Sequence, residues 1–211
     1  MPQIIDLSHP MQNGMPIYPG TEAPNFEQAT TIQANGYAEK RLTLFSHTGT
    51  HLDAPAHMLP QGASLSDLPP DRFMGPGCIL DLRGMKEALP SDLEAYTPAL
   101  EQSAFAILRT GWEQFWGTPE YFHPFPVLTE AAAIWLTGFN LFGIGTDAIS
   151  VDEVDTNDYP IHHVFFTNGL IIVENLCNLE QLPRNGFDFQ ALPLPIVDGD
   201  GSPVRAIATV I

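Results

Sequence analysis

The chain has 211 residues, 44% of them hydrophobic, enough for a sizeable core and ordinary for a water-soluble enzyme. Eight Lys and Arg stand against 25 Asp and Glu, and a net charge of −17 argues against nucleic acid or an anionic membrane surface as partner. No apolar run approaches the roughly 18 residues of a membrane span.

The opening Met-Pro-Gln-Ile-Ile-Asp lacks the basic and apolar regions of a secretion signal. Cys78 and Cys177 are far apart and read as reduced thiols, with a single bridge as the alternative. The expectation is one cytoplasmic domain spanning residues 1–211. Gln3 to Leu7 reads as a short strand. A turn-rich arm follows from Pro10 to Pro24, in which Pro16 and Pro19 hold Tyr18 on an extended loop. Read alone, Tyr18 is a packing residue. Phe26 to Ile32 and Tyr37 to Phe45 are extended segments flanking Asn35-Gly36, a strong hairpin signal.

Beyond Gly75-Pro76-Gly77 a buried strand is expected over Cys78 to Leu82, then a helix over Ser91 to Ala95 that Pro98 stops. Phe105 to Leu108 reads as a core strand, and Trp112 and Trp116 as the brace of a helix. Thr129 caps a helix over Glu130 to Leu136, closed by Gly138. A strand at Leu141 to Ile144 leads to Gly145-Thr146-Asp147. Pro160 opens a helix through Phe166, and Leu170 to Val173 is an apolar strand leading to Glu174. Phe187 to Leu192 and Val204 to Ile211 are expected to pair across the turn at Val197 to Gly201. Strands interleaved with helices and hairpins predict an α/β fold with a mixed sheet.

One stretch stands out chemically: Ser46-His47-Thr48-Gly49-Thr50-His51-Leu52-Asp53-Ala54-Pro55-Ala56-His57. A lone histidine is most simply a satisfied core residue. Three of the chain's seven, with an aspartate between them, point to a divalent metal. On a helix, Asp53 would point away from His47 and His51. On a straight strand, His47 and Asp53 would lie roughly 20 Å apart at ~3.3 Å per residue, whereas ligand atoms sit about 2.0–2.2 Å from an ion. The chain must bend, and Gly49 is the place. The expected order is strand, bend, loop, then a short helix beginning near Asp53-Ala54-Pro55.

His162-His163 and Glu174 form a second cluster, because a glutamate after an apolar strand is costly if buried without a partner. The usual nucleophile-elbow, nucleotide-loop and H-E-x-x-H signals are missing from the sequence. Asp198-Gly-Asp-Gly reads as a turn, and Asp152, Glu153, Asp155 and Asp158 as a solvated loop. His9 and His123 have no sequence neighbours that suggest chemistry.

The histidine stretch resembles the signature of the cyclase family, whose members include bacterial kynurenine formamidases and isatin hydrolases. Met15-Pro16-Ile17-Tyr18-Pro19-Gly20, Gly145 to Asp152, and His162 to Glu174 are similar to its other segments. The resemblance implies a barrel-like mixed sheet with packed helices and assembly as a homodimer or homotetramer. It implies metal ligands at His47, His51, Asp53, His162 (in preference to His163) and Glu174, with Asp53 and Glu174 bridging if two ions bind. It makes His57 the catalytic histidine. Tyr18 falls where formamidases usually carry a substrate-lining tryptophan.

These implications lead to a metal-dependent amide hydrolase, foremost an arylformamidase acting on N-formylkynurenine. One or two divalent ions would activate water and polarise the carbonyl, and His57 would pass a proton to the departing nitrogen. Zinc stands first, with manganese and iron open. The alternatives are hydrolysis of isatin or another small carbonyl compound, a closed metal site without catalysis, and a metal-free histidine hydrolase.

Overall fold

Phe105-Ala106-Ile107-Leu108 alternates between two apolar clusters, Phe105 and Ile107 in one, Ala106 and Leu108 in the other. A strand that is buried on both faces must be central, and the fold grows around it. The computed structural model describes residues 2–210.

Along the chain, β1 (Gln3–Asp6) precedes β2 (Asn25–Thr30), the helical turn α1 (Ile32–Asn35) and β3 (Glu39–Thr43). β4 (His51–Asp53), β5 (Met74–Asp81), β6 (Glu87–Ala88), α2 (Pro90–Leu93) and α3 (Thr97–Leu100) come next. Then follow β7 (Phe105–Arg109), β8 (Val127–Leu128), α4 (Glu130–Leu136), β9 (Gly143–Thr146), α5 (Pro160–Thr167) and β10 (Ile171–Glu174). β11 (Asn185–Gln190), β12 (Gly201–Pro203) and β13 (Ile207–Val210) complete the order.

Nine strands form one curled, mixed sheet in the order β1-β13-β11-β5-β7-β9-β10-β4-β12. Its centre, β5-β7-β9-β10, is parallel and its flanks are antiparallel. One face holds Leu7, Leu52, Phe105, Val173 and Phe189. The other packs Leu80, Leu108 and Ile172 against Leu136 of α4 and Phe165 of α5. The expected mixed, barrel-like α/β architecture is therefore present.

Several local expectations need correction. Asn35-Gly36 does not close a two-residue hairpin. Thr31 accepts the N–H of Ala34 at 3.3 Å and Gly36 ends the turn at φ 79°, so a capped helical turn joins β2 to β3. Pro98 does not stop a helix; it lies in the first turn of α3, where its missing N–H costs nothing. Gly75 to Gly77 belong to β5 rather than preceding it, and the ring of Phe187 fills the space a Cβ on Gly77 would take. The strand before Asp147 begins at Gly143, two residues later than expected. Trp112 and Trp116 brace no α-helix. Trp112 begins a single tight turn, and Trp116 stacks on His9 at 3.9 Å between ring centroids.

β11 and β13 pair as expected, with Ile211 outside the described residues. Val204 is not part of that pair, because β12 just before it crosses to pair with β4 instead. Both cysteines are buried and free. Among the described residues no helix is long and apolar enough to cross a membrane.

Candidate metal centre

β4 is only three residues long, yet it lies between two strands that complete a cluster. Because side chains alternate, His51 and Asp53 share one face of β4. On β10, Glu174 is directly opposite His51; on β12, Gly201 is opposite Asp53. A Cβ on Gly201 would come within 2.5 Å of the His47 ring, so only glycine leaves room for that imidazole. His47 itself arrives from before the strand, around the predicted bend at Gly49, where φ is +68°. Asn175 holds this bend, its side-chain amide donating to the Gly49 carbonyl at 2.9 Å.

The ring nitrogens are assigned by their neighbours. His51 Nδ1 donates to the Gly49 carbonyl at 2.8 Å. Its Nε2 then faces Asp53 at 3.1 Å and Glu174 at 3.6 Å. His162 Nδ1 is held by Asp152 at 2.7 Å, and Nε2 faces Glu174 at 3.4 Å and Asp53 at 3.9 Å. His47 Nδ1 lies 2.6 Å from Asp53. Two inner donor sets result, His47-His51-Asp53 and Asp53-His162-Glu174, with a third, His47-His57-Asp200, at the mouth; the donor atoms of each lie within 4.8 Å of one another. Asp53 belongs to both inner sets. The neighbouring His163 is exposed on α5, outside all three sets.

Burial alone would lower the pKa of His51 and His162. The carboxylates outweigh it: Asp53 holds His51 up to about 9, and Asp152 and Glu174 hold His162 up to about 10. Asp53 is kept well below the usual carboxylate range against its burial by His51 and His47. Burial, and then the charge of Asp53, push Glu174 up. Two buried carboxylates facing imidazole lone-pair positions form a donor set that fits a divalent cation, which would take the place of the protons.

His57 lies at the mouth, in the tight turn Pro55–His57, its ring 3.8 Å from that of His47. Burial lowers it to about 4, so it is a neutral imidazole at pH 7. Above it opens a cavity of about 910 Å³ lined by Pro16, Tyr18, Phe45, Met58, Ile149 and Tyr159. The Tyr18 hydroxyl donates to the Val154 carbonyl at 3.2 Å, fixing its ring in the wall.

Two acidic residues have partners that their sequence reading did not supply. Asp152 is not part of a solvated loop: it is buried and accepts the N–H groups of Ile161 and His162, both at 3.0 Å, as well as the His162 ring. One signal pointed to it. Tyr159 offers no capping side chain to α5, so an acceptor had to come from elsewhere. Asp200, in the expected turn, lies 3.1 Å from His47 Nε2. Asn175 carries no local signal.

Residues 5–153 match the family model described as "Putative cyclase". A kynurenine formamidase of Bacillus cereus is 33% identical over 205 residues, spanning 96% of this chain and 95% of that protein. Isatin hydrolase A from Labrenzia aggregata, solved with benzyl benzoate, superposes with a TM-score of 0.87 at 26% identity, over 99% of this chain and 94% of that one. A solved "potential metal-dependent hydrolase with cyclase activity" gives a TM-score of 0.82 at 26% identity, over 100% and 99% of the two chains.

Proposed function

This chain belongs to the cyclase family, and on that premise we propose that it is an arylformamidase, hydrolysing N-formylkynurenine to kynurenine and formate. The carrying observation is the pair of buried carboxylates, Asp53 and Glu174, met by the Nε2 atoms of His51 and His162 beneath an aromatic-lined cavity. His47, His51, Asp53, His162 and Glu174 would hold one or two divalent ions, zinc foremost and manganese second. When bound, such an ion supplies an electrophile for the formyl carbonyl and makes water more acidic.

The remaining work falls to side chains. Tyr18 and Tyr159 line the cavity and would pack against the aryl group, and the cavity volume is within the range of small-molecule sites. His57, neutral and next to the cluster, would take a proton from the attacking water and pass it to the aniline nitrogen as the C–N bond breaks, the water oxygen remaining on the formate.

Assembly as a homodimer or homotetramer is part of the same reading. No residue from Asn25 to Thr43 is buried, and Ile32, Tyr37 and Leu42 are all exposed on this hairpin. A lone two-stranded hairpin is marginal in water, and a second copy would support it. Free, buried thiols are in keeping with a reducing cytoplasm. All 211 residues would act as one domain, since the site draws on residues from His47 to Asp200.

The similarity to isatin hydrolase A favours a second reading, opening of a cyclic amide. Metal analysis of the purified protein, together with kcat/KM on N-formylkynurenine and on isatin, tests both. The first reading expects stoichiometric zinc or manganese and preference for the formamide. Preference for isatin replaces it with the second, and activity that survives exhaustive chelation overturns the metal-dependent mechanism.

A further inference from the structure

His47 differs from the other two histidines of the inner cluster. His51 and His162 each commit Nδ1 to a supporting acceptor, the Gly49 carbonyl and Asp152, and aim Nε2 at the carboxylates. His47 is reversed: Nδ1 faces Asp53 and Nε2 faces Asp200. A neutral imidazole has one N–H, and a metal ligand must present a lone pair at its other nitrogen. Asp53 belongs to both inner donor sets, which leaves Asp200 as the acceptor for the His47 proton.

The backbone holds Asp200 for this task. Its carbonyl accepts the N–H of Ala54 at 2.9 Å, tying it to the residue just after β4. Gly201, the next residue, provides the space the His47 ring occupies. The same Asp200 oxygen lies 3.8 Å from His57 Nδ1, and the donor atoms of His47, His57 and Asp200 are all within 4.8 Å of one another. One carboxylate therefore adjoins an inner-cluster histidine and the histidine at the mouth. Its side chain is half-exposed, so altering it opens no core.

We infer that Asp200 is a positioning residue: it holds the His47 Nε2–H so that Nδ1 is turned to the metal, and it steadies His57 beside the substrate. This rests on the reading of His47 as a metal ligand. The test uses full-length Asp200→Asn and Asp200→Glu proteins, with zinc affinity measured by chelator competition and the His47 tautomer read by ¹⁵N NMR of the zinc-loaded protein. Asp200→Asn should fold normally, bind zinc about 10–100-fold more weakly, and lose kcat more than KM changes once zinc is saturating. Asp200→Glu, which keeps the acceptor, should regain part of both.

Unchanged zinc affinity and an unchanged His47 tautomer in Asp200→Asn would overturn the inference. The affinity and tautomer measurements need no substrate. A chain that fails to cleave N-formylkynurenine but shows the affinity loss rejects the arylformamidase reading and leaves the role of Asp200 standing.

Discussion

Two adjacent parallel strands of the sheet each end in a buried acid, and the two are held in opposite ways. Asp147 follows β9 and is completely buried. Its carboxylate accepts the N–H and hydroxyl of Thr110, at 2.7 and 2.6 Å, and the N–H of Gly111 at 2.7 Å. Neutral donors from one turn thus satisfy both oxygens, and the group ties the end of β7 to the end of β9. Glu174 ends β10 and accepts one backbone N–H, from Val151 at 3.2 Å. Otherwise it faces His51, His162 and, on the neighbouring β4, a second buried carboxylate in Asp53. A buried acid ringed by N–H donors is architecture. A buried pair of acids ringed by imidazoles needs positive charge among them, from protonated rings or from a bound cation.

The largest expected effect tests the second half of that contrast. Glu174→Gln should weaken metal binding and reduce turnover about a thousandfold, the equivalent of roughly 4 kcal/mol. In the metal-free state it should be no less stable than the parent, since a carboxylate that burial and Asp53 both disfavour is gone. Elemental analysis and urea unfolding check the two halves, and marked destabilisation of the metal-free variant would make Glu174 a structural acid like Asp147. Next in size, His57→Ala should keep its metal and lose about a hundredfold or more in kcat. Full activity at full metal content removes His57 from the reaction.

Asp147→Asn should do the reverse of Glu174→Gln. With an amide N–H2 now facing N–H or hydroxyl donors, it should cost about 1–3 kcal/mol of stability in urea unfolding while metal content stays unchanged. The smallest effect is the pH dependence of the chelated protein. His51 and His162 are raised from 6.5 to about 9 and about 10, so their stabilising contribution is complete below pH 6.5 and is lost as pH rises through 9 to 10. The thermal midpoint of metal-free protein should fall across that window, and metal-loaded protein, with those protons displaced, should show a flatter profile.

Much of this site was legible in the order of residues. His47, His51 and Asp53 are close in sequence, and Gly49 between them is the residue best able to take the left-handed turn that gathers them. The helix beginning at Pro160 and the apolar strand ending at Glu174 follow from local signals, and both formed as expected. Asp152 was read as part of a solvated loop and Asp200 as part of a turn, because each sits in a polar, turn-forming stretch. The burial of Asp152 and the partners of both come from elements that pack beside those stretches only after folding.

Local pattern therefore determined the composition of the cluster: imidazoles and carboxylates at spacings that no straight helix or strand could bring to one ion. Only the tertiary structure decided how each group is used. The pairing of β10 and β12 on either side of β4 sets Glu174 against His51 and opens space for His47 at Gly201. His51 is turned locally, by the Gly49 carbonyl two residues before it, whereas His162 is held by Asp152 ten residues before it and His47 Nε2 meets Asp200, 153 residues after it. Spacing restricts which residues can meet. The direction of each ring follows the hydrogen-bond acceptor behind it, and for His47 and His162 that acceptor is brought up by tertiary packing.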